Sequence, residues 1–189
     1  MTSSKPTPSA PAIIHEVTTD AAVFESWFRL HSLDEARDSD TAPLTLYRDC
    51  LMHGNQQLAE KFTRGVSVPV LIHARSWLVD QLLRRAWPLF TGSAEDSLAL
   101  VAVGGYGRSE LMPGSDIDLL VLLPDADNQQ YDHKITQLLT FLWDIGLEVG
   151  HSVRSIDDCV EQSLADITVV TNLMEARLLA GSARLFQRM

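Results

Sequence analysis

Cysteine is nearly absent from the chain: its 189 residues hold two, Cys50 and Cys159, far apart and outside any C-x-x-C spacing. That excludes a disulfide framework and a cysteine zinc site, and leaves two buried thiols as the expectation. Long apolar runs are missing too, since nothing approaches the roughly 18 residues that cross a bilayer. The start, Met1 to Pro11, lacks the charged and apolar regions of a signal peptide, so a cytoplasmic location with no membrane contact is expected. Basic charge is scarce, with 15 Lys and Arg against 25 Asp and Glu and a formal net charge of -10. Nucleic acid is therefore not an expected partner, whereas a local anionic site for a metal is compatible. There is no internal repeat. No Lys-Ser or Lys-Thr follows the cluster Gly104, Gly105 and Gly107, which rules out a P-loop. A dinucleotide fingerprint beginning at Gly105 meets Glu110 where its third glycine belongs.

What the chain does have is enough apolar content, 46%, for one main core. Residues 1–43 read as a flexible leader and acidic linker with a short helix around Val23 to Leu30. Residues 44–90 read as a helical segment that packs on the core. Its first helix runs from Leu44 to Phe62, with Gly54 unfavourable in the middle and Gly65 as terminator. The second starts at Pro69, carries the stripe Leu71, Ala74, Leu78 and Leu82, and stops at Pro88; Arg75, Asp80, Arg84 and Arg85 lie off that stripe. Trp77 and Trp87 are expected in the core.

Residues 91–189 form the remaining unit. Leu98 to Val103 and Ile117 to Leu123 read as buried strands. Pro124 to Asn128 form a turn cluster. A helix through Ile135, Leu138, Leu139 and Leu142 closes at Gly146, and Leu147 to Arg154 alternate as a third strand. The spacing of Ile167, Val170, Met174 and Leu178 predicts a last helix capped by Gly181. The abrupt apolar and basic ending at Met189 reads as a truncation.

Between the first two strands lies the run Val103-Gly-Gly-Tyr-Gly-Arg-Ser-Glu-Leu-Met-Pro-Gly-Ser-Asp-Ile-Asp-Leu119, expected at a sheet edge. Alternation along a strand puts Asp116 and Asp118 on one face and Ile117 on the other. Two carboxylates so close repel unless a cation sits between them, and an all-oxygen donor set suits Mg2+ or Mn2+ completed by substrate phosphates. Gly104, Gly105 and Gly107 carry no side chains to block a phosphate, and Arg108 could add a charged contact. Taken alone, these glycines fit an ordinary turn equally well; the aspartates downstream favour the phosphate reading. Glu110 reads as a helix-start residue. His151 and Arg154 lie near the site, Arg154 for phosphate or for structural pairing, and Arg75 is either solvated or turned towards the cleft.

Gly104, Gly105, Asp116 and Asp118 resemble the mark of the polymerase beta-type nucleotidyltransferase superfamily, a glycine pair followed by Asp-hydrophobic-Asp. The fuller strings Gly-Gly-Tyr-Gly-Arg-Ser-Glu-Leu and Pro-Gly-Ser-Asp-Ile-Asp-Leu-Leu, together with Leu147 to Arg154 and Asp166 to Gly181, are similar to the bacterial PII uridylyltransferase/uridylyl-removing family from about Leu58 onward. The resemblance implies an α+β fold with a small mixed nucleotidyltransferase sheet, packed with helices and preceded by a helical segment. It also implies magnesium-dependent transfer of UMP from UTP to a tyrosine of the nitrogen regulatory protein PII, with uridylyl removal assigned to regions not in this chain. By the same resemblance, Asp116 and Asp118 hold the metals, Gly104, Gly105, Gly107, Arg108 and Ser115 face the nucleotide, and a third carboxylate comes from a neighbouring strand. Glu148, taken as mid-strand, is its candidate, with Asp157 and Asp166 as substitutes. A glutamine synthetase adenylyltransferase, a small antibiotic- or toxin-modifying nucleotidyltransferase, or a nucleotide-binding module without catalysis are the alternatives.

Overall fold

The computed structural model describes residues 21–28, 30–34, 43–125 and 129–189. The leader expected over residues 1–12, most of the acidic linker, and the tip of the turn cluster after Asp125 lie outside the described residues. Two short helices, α1 (Ala21–Glu25) and α2 (His31–Asp34), lead into the long pair α3 (Pro43–Thr63) and α4 (Val68–Thr91). Phe24, Phe28, Leu30 and Leu33 are buried in the same core as α3 and α4. Gly65 ends α3 with φ +86, and Pro69 occupies the first turn of α4, both as their sequence positions predict. Gly54 has a use that its helix propensity hides. A Cβ there would collide with the Leu78 side chain, so glycine lets α3 and α4 close on one another. Trp87 is fully buried, and Trp77 stacks on Phe28 at 5.9 Å between ring centroids.

Pro88 does not stop α4, which continues to Thr91. A proline costs its helix one amide bond and crowds the carbonyl four residues back, and here only one turn remains. That turn is held by other donors: Thr91 Oγ1 donates to the Trp87 carbonyl at 2.8 Å, and the Gly92 amide donates to Pro88. A 3-10 segment, Gly92–Ser97, then enters the sheet.

The sheet has four strands in the order β3-β2-β1-β4. β1 (Ala99–Ala102) pairs antiparallel with β2 (Ile117–Leu123), and a single helical turn, α5 (Gly104–Gly107), lies between them in sequence. From β2 the chain passes through α6 (Gln129–Asp144) to β3 (Val149–Ser155), which runs parallel to β2. α7 (Ile156–Ala165), α8 (Ile167–Met174), β4 (Arg177–Gly181) and α9 (Ala183–Phe186) complete the chain. The α+β class with a mixed sheet and leading helices is as expected. Leu100, Ala102, Leu119 and Val121 face the core of α3, α4 and α6, while Ala99, Val101, Leu120 and Leu122 meet Cys159 of α7 and Leu185 of α9. Burial on both faces explains why β1 and β2 read as continuous apolar runs.

The C-terminal quarter departs from the sequence expectation. Ile167, Val170, Met174 and Leu178 do not share one helical stripe: Leu178 belongs to β4, and Gly181 ends that strand rather than capping a helix. Asp166 starts α8 afresh by accepting from the Thr168 amide, and the helix stops at Glu175. Leu178-Leu179-Ala180 then extends along the open side of β1, where backbone pairing and burial exceed what another helical turn would supply. Ile167 (76% exposed) and Met174 (82%) face outward, as does Leu164 at the end of α7. Because β4 takes one side of β1 and β3 one side of β2, the motif sits on interior strands and not at the sheet edge.

Both cysteines are buried, and burial pushes the Cys50 thiol up to about 11 and raises that of Cys159. A maleimide at pH 7.5 is therefore expected to label neither thiol in the folded chain within minutes, and both after denaturation, as read by mass spectrometry. Among the described residues, no helix is long and apolar enough to cross a membrane.

Candidate active site

The glycine run leaves β1 through Val103, whose amide donates to the Asp118 carbonyl at 3.1 Å, so the turn begins beside the start of β2. Gly104 adopts φ +59, a conformation that side-chain-bearing residues rarely take, and this reverses the chain into α5. The amides of Gly107, Arg108, Ser109 and Glu110 are all used inside the turn, on the carbonyls of Val103, Gly104, Tyr106 and Gly105. The earlier amides, at the start of a helical turn, have no such partner by geometry. Ser109 is held at φ 62, and its carbonyl lies 2.8 Å from Nδ1 of His73, a strained corner anchored to α4.

Asp116 and Asp118 are exposed on the same side of β2, with Ile117 buried between them. Partial desolvation, and then the neighbouring charge of Asp116, push the Asp118 carboxyl above its ordinary value. Such a carboxylate favours a compensating cation. Its flanks are cleared by glycines on both sides. A Cβ on Gly150, its register partner in β3, would come within 2.9 Å of Asp118 Oδ1, and one on Gly104 within 3.4 Å of Oδ2. A carboxylate flanked by two glycines, with a second carboxylate two residues before it, fits a hard divalent ion that keeps open positions for substrate oxygens. Among the described residues, no three His, Cys, Asp or Glu side chains gather closely enough to hold a metal unaided.

Two clefts meet at Asp118. One, of about 450 Å3, is bordered by Gly105, Glu110, Gly114, Ser115 and Asp116. The other, of about 350 Å3, is bordered by Gly150, His151, Ser152, Arg154 and Asn172. Gly104, Gly105, Ser115, Asp116 and Asp118 are thus brought together, with Arg154 close by. Gly107 is turned into the protein against the Glu175 carbonyl. Arg108 is paired with Glu110 at 3.0 Å and with Glu175 at 2.5 Å. Glu110 is a loop residue and not the start of a helix.

Glu148 is not mid-strand: it precedes β3, which begins at Val149, and its carbonyl accepts from the Ile117 amide at 2.8 Å. Its side chain borders a separate recess with Asp116 and Trp143. Asp157 and Asp166 belong to the start of α7 and the cap of α8. Arg75 is half-buried, donates to Asn55 at 2.8 Å, and feels the charge of Glu148.

Gly150 and Asn172 escape the sequence reading. Gly150 sits in an unremarkable Val-Gly-His stretch, and only its register opposite Asp118 reveals its role. Asn172 Oδ1 lies 3.6 Å from where a Gly104 Cβ would stand, a contact made across 68 residues of sequence. Gly150→Ala should displace the Asp118 carboxylate and lower turnover about tenfold while changing stability by less than about 1 kcal/mol. Steady-state rates beside a thermal melt check this.

Residues 54–151 match the family model described as "Putative nucleotidyltransferase DUF294". The chain is 51% identical over 148 residues to a bifunctional uridylyltransferase/uridylyl-removing enzyme of Pseudomonas putida (strain W619), an alignment covering 78% of this chain and 16% of that protein. A protein of the same description from Pseudomonas fluorescens (strain SBW25) is 50% identical over the same coverage. One from Ectopseudomonas mendocina (strain ymp) is 48% identical over 79% of this chain and 17% of its own length. The chain thus spans about a sixth of the length of the curated relatives it matches.

Proposed function

Because this chain belongs to the nucleotidyltransferase family DUF294, we propose that it transfers UMP from UTP to a tyrosine of the nitrogen regulatory protein PII, releasing pyrophosphate, in the cytoplasm. The observation that carries this reading is the Asp118 carboxylate, placed beside Asp116 in the slot between Gly104 and Gly150 where two clefts meet. The names of the similar Pseudomonas proteins support the choice of base.

Asp116 and Asp118 would hold two Mg2+ ions, with Mn2+ as a substitute. When bound, the metal supplies charge neutralisation at the triphosphate and acidifies the acceptor phenol. The protein's share is positioning. The early amides of the glycine turn, at Gly104 and Gly105, would donate to phosphate oxygens, and Ser115 would join them from the same cleft as Gly105. Asp116 and Asp118 would orient the bound triphosphate towards the acceptor oxygen, and the glycines beside Asp118 would leave room for the phosphates. Arg108 would have to exchange one of its carboxylates for a phosphate, while Gly107 acts by packing. Glu148, which borders a recess together with Asp116, would serve as the third carboxylate from that side.

Incubating the chain with PII, Mg2+ and labelled UTP or ATP tests the proposal. Label from UTP on a PII tyrosine, with stoichiometric pyrophosphate, is the expected result. Attachment from ATP alone would replace uridylyl by adenylyl transfer. UTP binding without pyrophosphate release would make this a nucleotide-binding module.

A further inference from the structure

Behind the glycine turn lies an ionic network that the proposed transfer leaves unused; it reaches the clefts through Tyr106, which borders the one beside Ser115. Asp80 of α4 is only 7% exposed. One of its oxygens accepts from the Tyr106 hydroxyl at 2.8 Å and from Arg177 Nη2 at 3.0 Å; the other accepts from Arg177 Nη1 at 2.5 Å. Arg177, the first residue of β4, also donates from Nε to the Gly107 carbonyl at 3.2 Å and from Nη2 to the Tyr106 carbonyl at 3.1 Å. Arg84 stands 3.7 Å from the Asp80 oxygen that Arg177 Nη1 also meets. A single guanidinium therefore grips two carbonyls of α5 and both oxygens of Asp80, a pattern that needs its planar fork.

Stability alone is a poor reason for this network. A buried ion pair loses about as much in desolvation as it gains in attraction, and apolar side chains of the same volume serve a core as well or better. What it supplies is geometry. Gly105 and Gly107 give α5 more backbone freedom than any other residue type would. Tyr106, between them, is held by its hydroxyl and by its carbonyl at once. The Glu175 carbonyl closes on Gly107 from the segment that leads into Arg177.

We propose that Arg177, oriented by Asp80, is a positioning residue that locks the glycine turn in the form that presents the Gly104 and Gly105 amides to the triphosphate. This rests on the nucleotidyltransferase reading for its purpose, though the lock itself is mechanical. Lysine at position 177 keeps a positive charge against Asp80 but cannot reach both carbonyls and both carboxylate oxygens. In Arg177→Lys, hydrogen exchange of amides 103–110 should rise about tenfold while α3 and α6 keep their protection. The KM for UTP should rise about tenfold, with kcat within about threefold and the KM for the acceptor protein unchanged. A second variant, Asp80→Leu with Arg177→Met, replaces the network by apolar groups and should retain a cooperative melt without recovering the KM.

Local exchange and a raised UTP KM in both variants uphold the proposal. Wild-type exchange at 103–110 in Arg177→Lys overturns it, and so does a uniform rise over the whole chain, which marks lost stability alone. Full recovery of KM in the apolar variant overturns it as well. A wild-type chain that attaches no nucleotide defeats the transferase reading separately, and exchange at 103–110 then decides the lock by itself.

Discussion

Asp116→Asn and Asp118→Asn are each expected to lower magnesium-dependent nucleotidyl transfer about a thousandfold, ~4 kcal/mol in the barrier, without unfolding the chain. Asparagine keeps the size and one oxygen of aspartate but cannot supply the charge that a hard cation requires. The fold should survive because both side chains are exposed and neither holds an element in place. For Asp118 the direction can be argued further. Its folded carboxyl is raised above the ordinary value by partial desolvation and by Asp116. The sign follows from linkage: the charged form weakens the fold, the effect is absent below the unfolded pKa and complete above the raised folded one. At neutral pH, Asp118→Asn should thus melt at or slightly above the wild-type temperature in the absence of metal. A calorimetric melt and a label-transfer assay on the same preparation give both readings. Full turnover in a folded Asp118→Asn chain would end the metal-site interpretation. A collapse of the melt together with activity would instead make the aspartate structural.

The second large effect is expected at Gly107. Its φ is not in the left-handed region, so the argument is steric: a Cβ would overlap the Glu175 carbonyl and approach the Ala102 carbonyl at 3.2 Å. Both obstacles are backbone and cannot rotate away. Gly107→Ala should destabilise the chain by about 3 kcal/mol, at the upper end of overpacking costs. The melting temperature should then fall by about 6 to 12 °C for a chain of this size. Gly105→Ala is the control. There the new methyl meets the Glu110 carbonyl at 3.4 Å and Arg108 at 3.7 Å, an ordinary contact. Its stability should change by about 1 kcal/mol or less, while UTP binding weakens, because this glycine borders the cleft. An unchanged melt in Gly107→Ala would contradict the packing described, and unaltered UTP binding in Gly105→Ala would return the cluster to an ordinary turn.

These paired predictions separate two jobs that the glycines share and that their spacing could not distinguish. Gly104 supplies the left-handed reversal and clears Asp118, Gly105 borders the cleft, and Gly107 accommodates the returning backbone of the α8 to β4 connection. Arg108 likewise shows why a basic residue beside a phosphate-like motif is ambiguous in sequence. Its guanidinium is taken by two carboxylates, one two residues away and one 67 residues away.

The sequence by itself determined whatever depends on near neighbours. Periodicity marked α3, α4 and α6. Two-sided apolar runs marked β1 and β2, and strand alternation put Asp116 and Asp118 on one face. Local sterics and short-range burial govern these features, so a window of ten or twenty residues contains their cause. Only the tertiary structure decided the rest. Whether Leu178 continues a helix or joins a strand depends on the open side of β1, some 77 positions earlier in the chain, and a short apolar run is equally compatible with both. Pro88 ends a helix in isolation but not where Thr91 and Gly92 take over its last turn. Asp80 looks like a solvent-facing residue off an apolar stripe, and becomes the buried partner of Arg177 only because β4 returns beside α4. Gly150 matters because the register of β3 sets it opposite Asp118. Apart from the Pro88 turn, whose hydrogen bonds are local, each of these is a pairing between distant segments, whose free energy exists only once the chain has folded. The motif's chemistry was therefore written locally, while the surroundings that hold it in shape were not.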